Sequence, residues 1–130
     1  MAESLQRILY LEDDLLIAEL ALLALQDMGG FTVHHCCSGQ EAIDVASGFA
    51  PQLLLFDVML PSMDGPQTYD RVKRLPGCAD VPVVFMTAKA QKHQEQAYLE
   101  LGACGVIGKP FDPLTLGDRV RLLWSTTRRG

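Results

Sequence analysis

Four large apolar residues in succession, Leu53 to Phe56, are followed directly by a carboxylate, Asp57. An uninterrupted apolar run of this length is typical of a strand that is buried on both faces, as strands are in parallel sheets. Open α/β sheets bind their ligands at the carboxyl ends of such strands. We therefore expect Asp57 to belong to a site at the edge of a sheet.

Short apolar runs alternate with helical patterns along the whole chain. The predicted strands span 7–11, 31–36, 52–57, 81–86 and 104–108, and the predicted helices span 14–28, 38–47, 66–74, 89–101 and 113–124. Gly29-Gly30 is a helix stop, Ser38 with Glu41 is a capping box, and Asp112 is a helix cap. Five successive βα units predict an α/β fold of the doubly wound class, with helices on both faces of a parallel sheet.

The length of 130 residues suits one domain. We expect a single domain over 1–130 with a folded core of about 5–125 and without an output domain. No apolar stretch approaches the ~20 residues of a membrane span, and the start of the chain lacks a secretory signal. The prediction is a cytoplasmic protein that does not contact a membrane.

The net charge of −5 argues against direct binding to nucleic acid, because there is no basic field to replace counterions. The four cysteines lack a C-x-x-C spacing, which is typical of buried thiols in a reducing compartment. His35 and Cys37 would share one face of a strand, but the lack of two further ligands disfavours a soft-metal site there.

Polar residues also follow three other predicted strands. Glu12 and Asp13 follow the first, Thr87 follows the fourth, and Lys109 follows the fifth. If these strands are neighbours, the acids crowd one spot, where like charges are unfavourable unless a cation offsets them. The pattern predicts a hard divalent metal, with Lys109 as an additional positive partner.

The motifs in this order resemble the response-regulator receiver domain family, which includes chemotaxis receivers. The matching segments are Leu11-Glu12-Asp13-Asp14, the D-x-x-x-P-x-x-D-G stretch from Asp57 to Gly65, Met86-Thr87-Ala88 and Lys109-Pro110-Phe111. The resemblance covers about the whole chain. It implies a (βα)5 flavodoxin-like fold with a five-stranded parallel sheet of order 2-1-3-4-5.

The resemblance also implies a role for each matching residue. Asp57 would be the phosphoacceptor, Thr87 would sense the phosphoryl oxygens, and Lys109 would pair with them, with a cis bond to Pro110. The ligands of Mg²⁺, or of Mn²⁺ in its place, would be Glu12, Asp13, Asp57 and the backbone carbonyl of Met59. The implied partners are a sensor histidine kinase or a histidine phosphotransfer protein, and a downstream protein target.

Positioning and charge neutralisation are most of what phosphoryl transfer needs, and this residue set offers both. The resemblance implies a switch and not a true enzyme. Two alternatives stay open. One is an aspartyl-phosphate phosphohydrolase of another doubly wound family, although such enzymes usually place a second acid where Met59 stands. The other is a binding module that keeps the receiver shape without phosphorylation.

Two further features bear on signalling. Many receivers have an aromatic residue three positions before the lysine, and here that residue is Val106. On the first helix, 3.6-residue spacing predicts a sheet-facing side of Ile17, Leu20, Ala21, Ala24 and Met28. The opposite side would carry Leu15, Ala18 and Leu22, an apolar patch on which a phosphodonor protein could dock.

Overall fold

The computed structural model describes residues 3–88 and 93–127. The strands are β1 Arg7–Leu11, β2 Thr32–Cys36, β3 Leu53–Asp57, β4 Val83–Ala88 and β5 Gly105–Lys109. The helices are α1 Leu15–Leu22, α2 Gly39–Phe49, α3 Gly65–Val72, α4 Glu95–Glu100 and α5 Pro113–Thr127, and α1 continues as a π-helical segment over Leu23–Met28. The predicted start of the fourth helix at 89–92 lies outside the described residues. Within the described ranges, no helix has the length and apolar character needed to cross a membrane.

The five strands form one parallel sheet of order β2-β1-β3-β4-β5, which confirms the predicted fold class and strand order. All five residues of β3 are buried, as the apolar run Leu53 to Phe56 indicated. β3 lies at the centre of the sheet because its residues can only be accommodated where strands and helices surround them.

Alternate residues of each central strand enter two separate cores. Ile8, Tyr10 and Leu55 pack on the side covered by α1 and α5. Leu9 and Phe56 pack on the opposite side, against α2 and α3. The two-residue period of a strand produces this division, and the site lies at the sheet edge between the two layers.

The predicted sheet-facing side of the first helix is confirmed at Ala21 and Ala24 but wrong at Leu20 and Met28. The buried residues are Ala18, Ala21, Ala24 and Leu25. Leu20 is 42% exposed and Met28 is 51% exposed. Small alanines let the helix lie close to the sheet, so side-chain size and not hydrophobicity alone selected the buried face.

The predicted docking patch on that helix is consequently also wrong. Ala18 is buried, and Leu22 is half-buried against the core of the α1 and α5 side. Leu15 is exposed as predicted, and the other exposed large apolar side chains of this helix and its continuation are those of Leu16, Leu20, Leu23 and Met28.

Several helix ends differ from the predicted ones. Ser38 caps α2 by accepting from the Glu41 backbone N–H, but the Glu41 side chain accepts from the N–H of Cys37, so the reciprocal half of the capping box is absent. α2 continues through Gly48 and ends where Ala50 adopts a left-handed conformation. Asp112 accepts a hydrogen bond from the Leu114 N–H at the start of α5, as predicted.

Candidate functional site at the carboxyl edge of the sheet

The carboxyl ends of β1, β3, β4 and β5 bring the sequence-predicted site residues to one edge. Asp57 is the last residue of β3 and is paired with Met86, the neighbour of Thr87, while Lys109 is the last residue of β5. Glu12 follows β1 directly, and Glu12, Asp57 and Thr87 are each at most 2% exposed. Buried polar groups at strand ends need partners, and the geometry supplies them.

Lys109 joins two of the acids. Its Nζ donates to Asp57 Oδ1 at 2.8 Å and to Glu12 Oε1 at 3.0 Å. The Lys109–Pro110 peptide bond is cis, as expected. One ammonium group therefore lies between two buried carboxylates and offsets part of their mutual repulsion.

A third carboxylate completes an acidic cluster. Glu12, Asp13 and Asp57 each place an oxygen within 4.8 Å of the others, and Asp13 is exposed while the other two are buried. A set of carboxylate oxygens open to solvent on one side suits Mg²⁺, which prefers oxygen ligands and keeps several waters. Met59 lies two residues beyond Asp57 with an exposed side chain, and the role of its backbone carbonyl stays a prediction.

The electrostatics of the cluster favour an added cation. Burial, and then the neighbouring Asp57, raises the pKa of Glu12, although Lys109 opposes the shift. Burial also raises the pKa of Asp57, against the opposing effect of Lys109. For Lys109, burial lowers the pKa, but hydrogen bonds and charge from Asp57 and Glu12 outweigh it, so its pKa is raised overall. The single lysine does not fully compensate the buried acids.

Neighbouring backbone groups hold the acids in place. Asp14 caps α1 by accepting from the N–H groups of Leu16 and Ile17. Its own N–H donates to Glu12 Oε2 at 3.1 Å. Asp14 is thus a positioning residue, and it is not part of the acidic cluster.

The loop after β3 is held against the end of that strand. Asp64 and Gln67 form a capping box at the start of α3. The N–H of Gly65 donates to the Val58 carbonyl at 3.0 Å. A Cβ at Gly65 would lie 2.3 Å from the Asp57 carbonyl oxygen, so only glycine permits this approach.

Two residues near the site were not predicted from the sequence. His35 Nε2 donates to the backbone carbonyl of Glu12 at 2.8 Å, and its ring contacts that of Tyr10. The Tyr10 hydroxyl is buried and has no hydrogen-bond partner among the described residues. Tyr10 precedes Glu12 by two residues, and residues two apart in an extended chain lie on the same face. This spacing is the sequence feature from which the proximity of Tyr10 to the site could have been predicted. The pairing of His35 with Cys37 as metal ligands, which the sequence disfavoured, matches neither cluster of metal-binding side chains in 3–88 and 93–127.

Val106 leaves open space beside the lysine. It is half-buried and lines a cleft of about 510 Å³ together with Thr87 and Lys109. Tyr98 is buried against Phe85 and donates to Gln94, so it is a core residue. Among the described residues lining this cleft, the only aromatic one is Phe111.

In the folded protein the pKa values of Glu12 and Asp57 lie above their ordinary values of 4.5 and 3.8. We therefore expect the metal-free protein to lose stability as the pH rises from the ordinary pKa values through the raised ones. In that window the folded state binds more protons than the unfolded state, so the free energy of unfolding falls with pH. Urea denaturation in EDTA across the window measures this slope, and saturating Mg²⁺ should reduce it.

Two variants separate this effect from that of surface acids. Asp57→Asn should flatten the slope and stabilise the metal-free protein at neutral pH, whereas Asp70→Asn, at a half-exposed carboxylate in surface ion pairs, should leave the slope unchanged. If the free energy of unfolding depended on pH equally in the wild type and both variants, the buried acids would not be the cause of the slope.

The chain matches the response regulator receiver domain family over residues 8–121. It is similar to the DNA-binding dual master transcriptional regulator RpaA of Synechocystis sp., with 34% identity over 123 residues, 95% of this chain and 51% of RpaA. It is also similar to the DNA-binding response regulator MtrA of Mycobacterium tuberculosis, with 37% identity over 116 residues, 89% of this chain and 49% of MtrA. The chain therefore spans about half the length of these curated relatives.

Solved structures show the same fold. A response regulator from Chloroflexus aurantiacus superposes with a TM-score of 0.83 at 31% identity, covering 95% of this chain and 99% of that one. The chemotaxis protein CheY4 of Vibrio cholerae superposes with a TM-score of 0.83 at 25% identity, covering 92% of this chain and 99% of CheY4. With the family match, the sheet order and the clustered strand ends in agreement, the chain belongs to the response regulator receiver domain family of two-component signalling.

Proposed function

We propose that this receiver domain is a phosphoacceptor switch in which Asp57 takes a phosphoryl group from a phosphohistidine donor in a Mg²⁺-dependent reaction. The observation that carries the proposal is the convergence of Lys109 and two further acids on a buried Asp57. A carboxylate nucleophile must be ionised and held in a fixed orientation. It also needs cationic groups that offset the negative charge of the transferring phosphoryl group. This edge of the sheet offers both.

The chain's own residues account for most of the step. The Asp57 carboxylate attacks phosphorus, the bond from phosphorus to the donor histidine nitrogen breaks, and the nitrogen keeps the electron pair. Glu12, Asp13, Asp57 and the Met59 carbonyl would hold Mg²⁺, which supplies charge neutralisation on the phosphoryl oxygens when bound. Lys109, already hydrogen-bonded to Asp57 Oδ1, would then pair with the product phosphoryl oxygens.

The proposed output is a change of binding surface next to the site. The Thr87 hydroxyl donates a long, 3.4 Å hydrogen bond to the Ala88 carbonyl and also interacts with the Tyr98 side chain. A phosphoryl oxygen would be a stronger acceptor for this hydroxyl than either of them. Val106 lacks the aromatic ring that could rotate with it, so the change would pass through the backbone at Thr87 itself. The domain would thus act as a switch and not as a true enzyme, with at most slow autophosphorylation and autodephosphorylation.

Receiver domains partner with histidine kinases, and we propose a sensor histidine kinase or a histidine phosphotransfer protein as the donor, in the cytoplasm. Leu15 and Leu16, exposed at the start of α1 next to the acids, would meet the donor. A downstream protein would read the switched surface. We assign no direct contact with nucleic acid to this one domain, given its net charge of −5.

The alternatives fare less well. A phosphohydrolase would need a second acid two residues after the nucleophile, and Met59 places an exposed thioether there. A receiver-like module without phosphorylation has no need to keep three acids and a lysine together at a cost in stability.

The direct test is incubation of the protein with acetyl phosphate. In Mg²⁺ the intact mass should rise by one phosphoryl group, and hydroxylamine should remove it, because an acyl phosphate is a reactive mixed anhydride. EDTA should prevent the modification. A protein that stays unmodified in Mg²⁺ with both acetyl phosphate and a histidine kinase would leave only the non-phosphorylated binding module.

Lys109→Ala should lower the phosphorylation rate by about 10-fold to 100-fold, because it removes a charge-assisted hydrogen bond of about 1.5–3 kcal/mol. It should also weaken the NMR shift changes that phosphorylation causes around Thr87. Lys73→Ala is the matched control and should have no effect, since Lys73 lies at the end of α3, just after Val72, in a 3.8 Å surface ion pair. Normal rates and shifts in Lys109→Ala would remove Lys109 from the mechanism.

A further inference from the structure

A second cluster of metal-binding side chains lies on the edge strand of the sheet, apart from the acids. His34 and Cys36 are two residues apart on β2 and so share one face, while Glu41 lies in the first turn of α2. One ligand atom from each of the three lies within 4.8 Å of the other two. The short turn through Ser38 brings the helix back over the strand and creates this convergence.

Only one of the three side chains, Glu41, makes a hydrogen bond within the described parts of the chain. The His34 ring contacts the Phe49 ring edge-on, but neither of its nitrogens has a hydrogen-bond partner within the described parts of the chain. Glu41 Oε1 accepts from the Cys37 N–H at 2.9 Å, which orients the carboxylate. Cys36 is fully buried, and burial, followed by the Glu41 charge, raises the pKa of its thiol to about 12. The thiol is thus neutral in the metal-free protein and would lose its proton on binding a metal.

The donor types differ from those of the acidic cluster. One imidazole nitrogen, one sulfur and one carboxylate oxygen are the set that Zn²⁺ and related transition metals take, whereas Mg²⁺ takes oxygen. Ligand atoms around tetrahedral zinc are about 3.5 Å apart, given bond lengths of about 2.0–2.3 Å. Small side-chain rotations would bring atoms that lie within 4.8 Å of each other to that separation.

We propose that His34, Cys36 and Glu41 form a zinc-class metal site that is independent of the phosphoacceptor site, with water in the fourth position. The charges balance, because a thiolate and a carboxylate together neutralise a dication. Binding would tie the edge strand β2 to α2. Each residue has an ordinary explanation on its own, as ring packing, core thiol or helix-start acid, but those explanations do not require the three donors to meet.

The test is titration of the reduced protein with Co²⁺, a spectroscopic substitute for zinc, in excess Mg²⁺ to occupy the acidic cluster. The wild type should develop the thiolate-to-cobalt charge-transfer absorption, and Zn²⁺ should abolish it by competition. Cys36→Ala should lose the band, while His34→Asn and Glu41→Gln should weaken Co²⁺ binding at least tenfold. Asp57→Asn should keep the band, because its carboxylate belongs to the other site.

Cys37→Ala and Cys104→Ala are the matched thiol controls and should bind Co²⁺ as the wild type does. If Cys36→Ala does not fold, Glu41→Gln, at a half-buried position, still decides the matter together with His34→Asn. The proposal fails if the wild type shows no charge-transfer band. It also fails if the band survives in Cys36→Ala and disappears in Cys37→Ala, since the exposed thiol would then be the ligand.

Discussion

Asp57→Asn should abolish phosphorylation completely while leaving the fold intact. The amide is nearly isosteric with the carboxylate but is not a nucleophile, and the other two carboxylates at this edge, Glu12 and Asp13, are assigned to the metal. Intact-mass measurement after incubation with acetyl phosphate and Mg²⁺ should show one phosphoryl group on the wild type and none on the variant. Circular dichroism should show the same secondary structure in both proteins.

Asp14→Asn is the matched control for this change. Asp14 is equally close in sequence to the acidic cluster, but its side chain caps α1, and asparagine caps a helix about as well as aspartate. This variant should be phosphorylated like the wild type. Hydroxylamine-sensitive phosphate on Asp57→Asn would show that another residue is the acceptor.

Gly65→Ala should destabilise the protein by about 1–3 kcal/mol, the usual cost of forcing extra volume into a packed site. The new Cβ would lie 2.3 Å from the Asp57 carbonyl oxygen and 3.1 Å from Val58 Cα, and both are backbone atoms that cannot rotate away. The loop after β3 must shift, so Asp57 and the Met59 carbonyl would lose their placement. We expect slower phosphorylation in addition to the lower urea midpoint.

The same substitution at Gly48 should have the opposite effect on stability. Gly48 lies within α2, and an added Cβ would meet no atom within 4 Å. Alanine should therefore stabilise the helix by about 0.5–1 kcal/mol and leave phosphorylation unchanged. A Gly65→Ala protein as stable and as readily phosphorylated as Gly48→Ala would show that the loop is not held tightly against β3.

The apolar run before Asp57 predicted the central strand because four successive large apolar residues can be buried only where both faces of a sheet are covered. The alternation of strands and helices likewise predicted the doubly wound class. The order of the strands is not contained in either pattern. It followed from the resemblance to receiver domains, and the observed order of β2-β1-β3-β4-β5 confirms it.

Other features depended on tertiary packing. Spacing placed both Leu20 and Ala21 toward the sheet, but the close approach of α1 buried Ala18 and left Leu20 42% exposed, because a small side chain is needed where a helix lies near a sheet.

By itself, the sequence determined which residues end the strands, since strand and helix periodicities are local properties of the chain. Only the tertiary structure decided which of those residues touch. Lys109 reaches Glu12 across 97 positions, and Glu41 meets Cys36 through the turn into α2. Such contacts depend on the relative placement of whole elements, which the packing of both cores determines and a single sequence does not express.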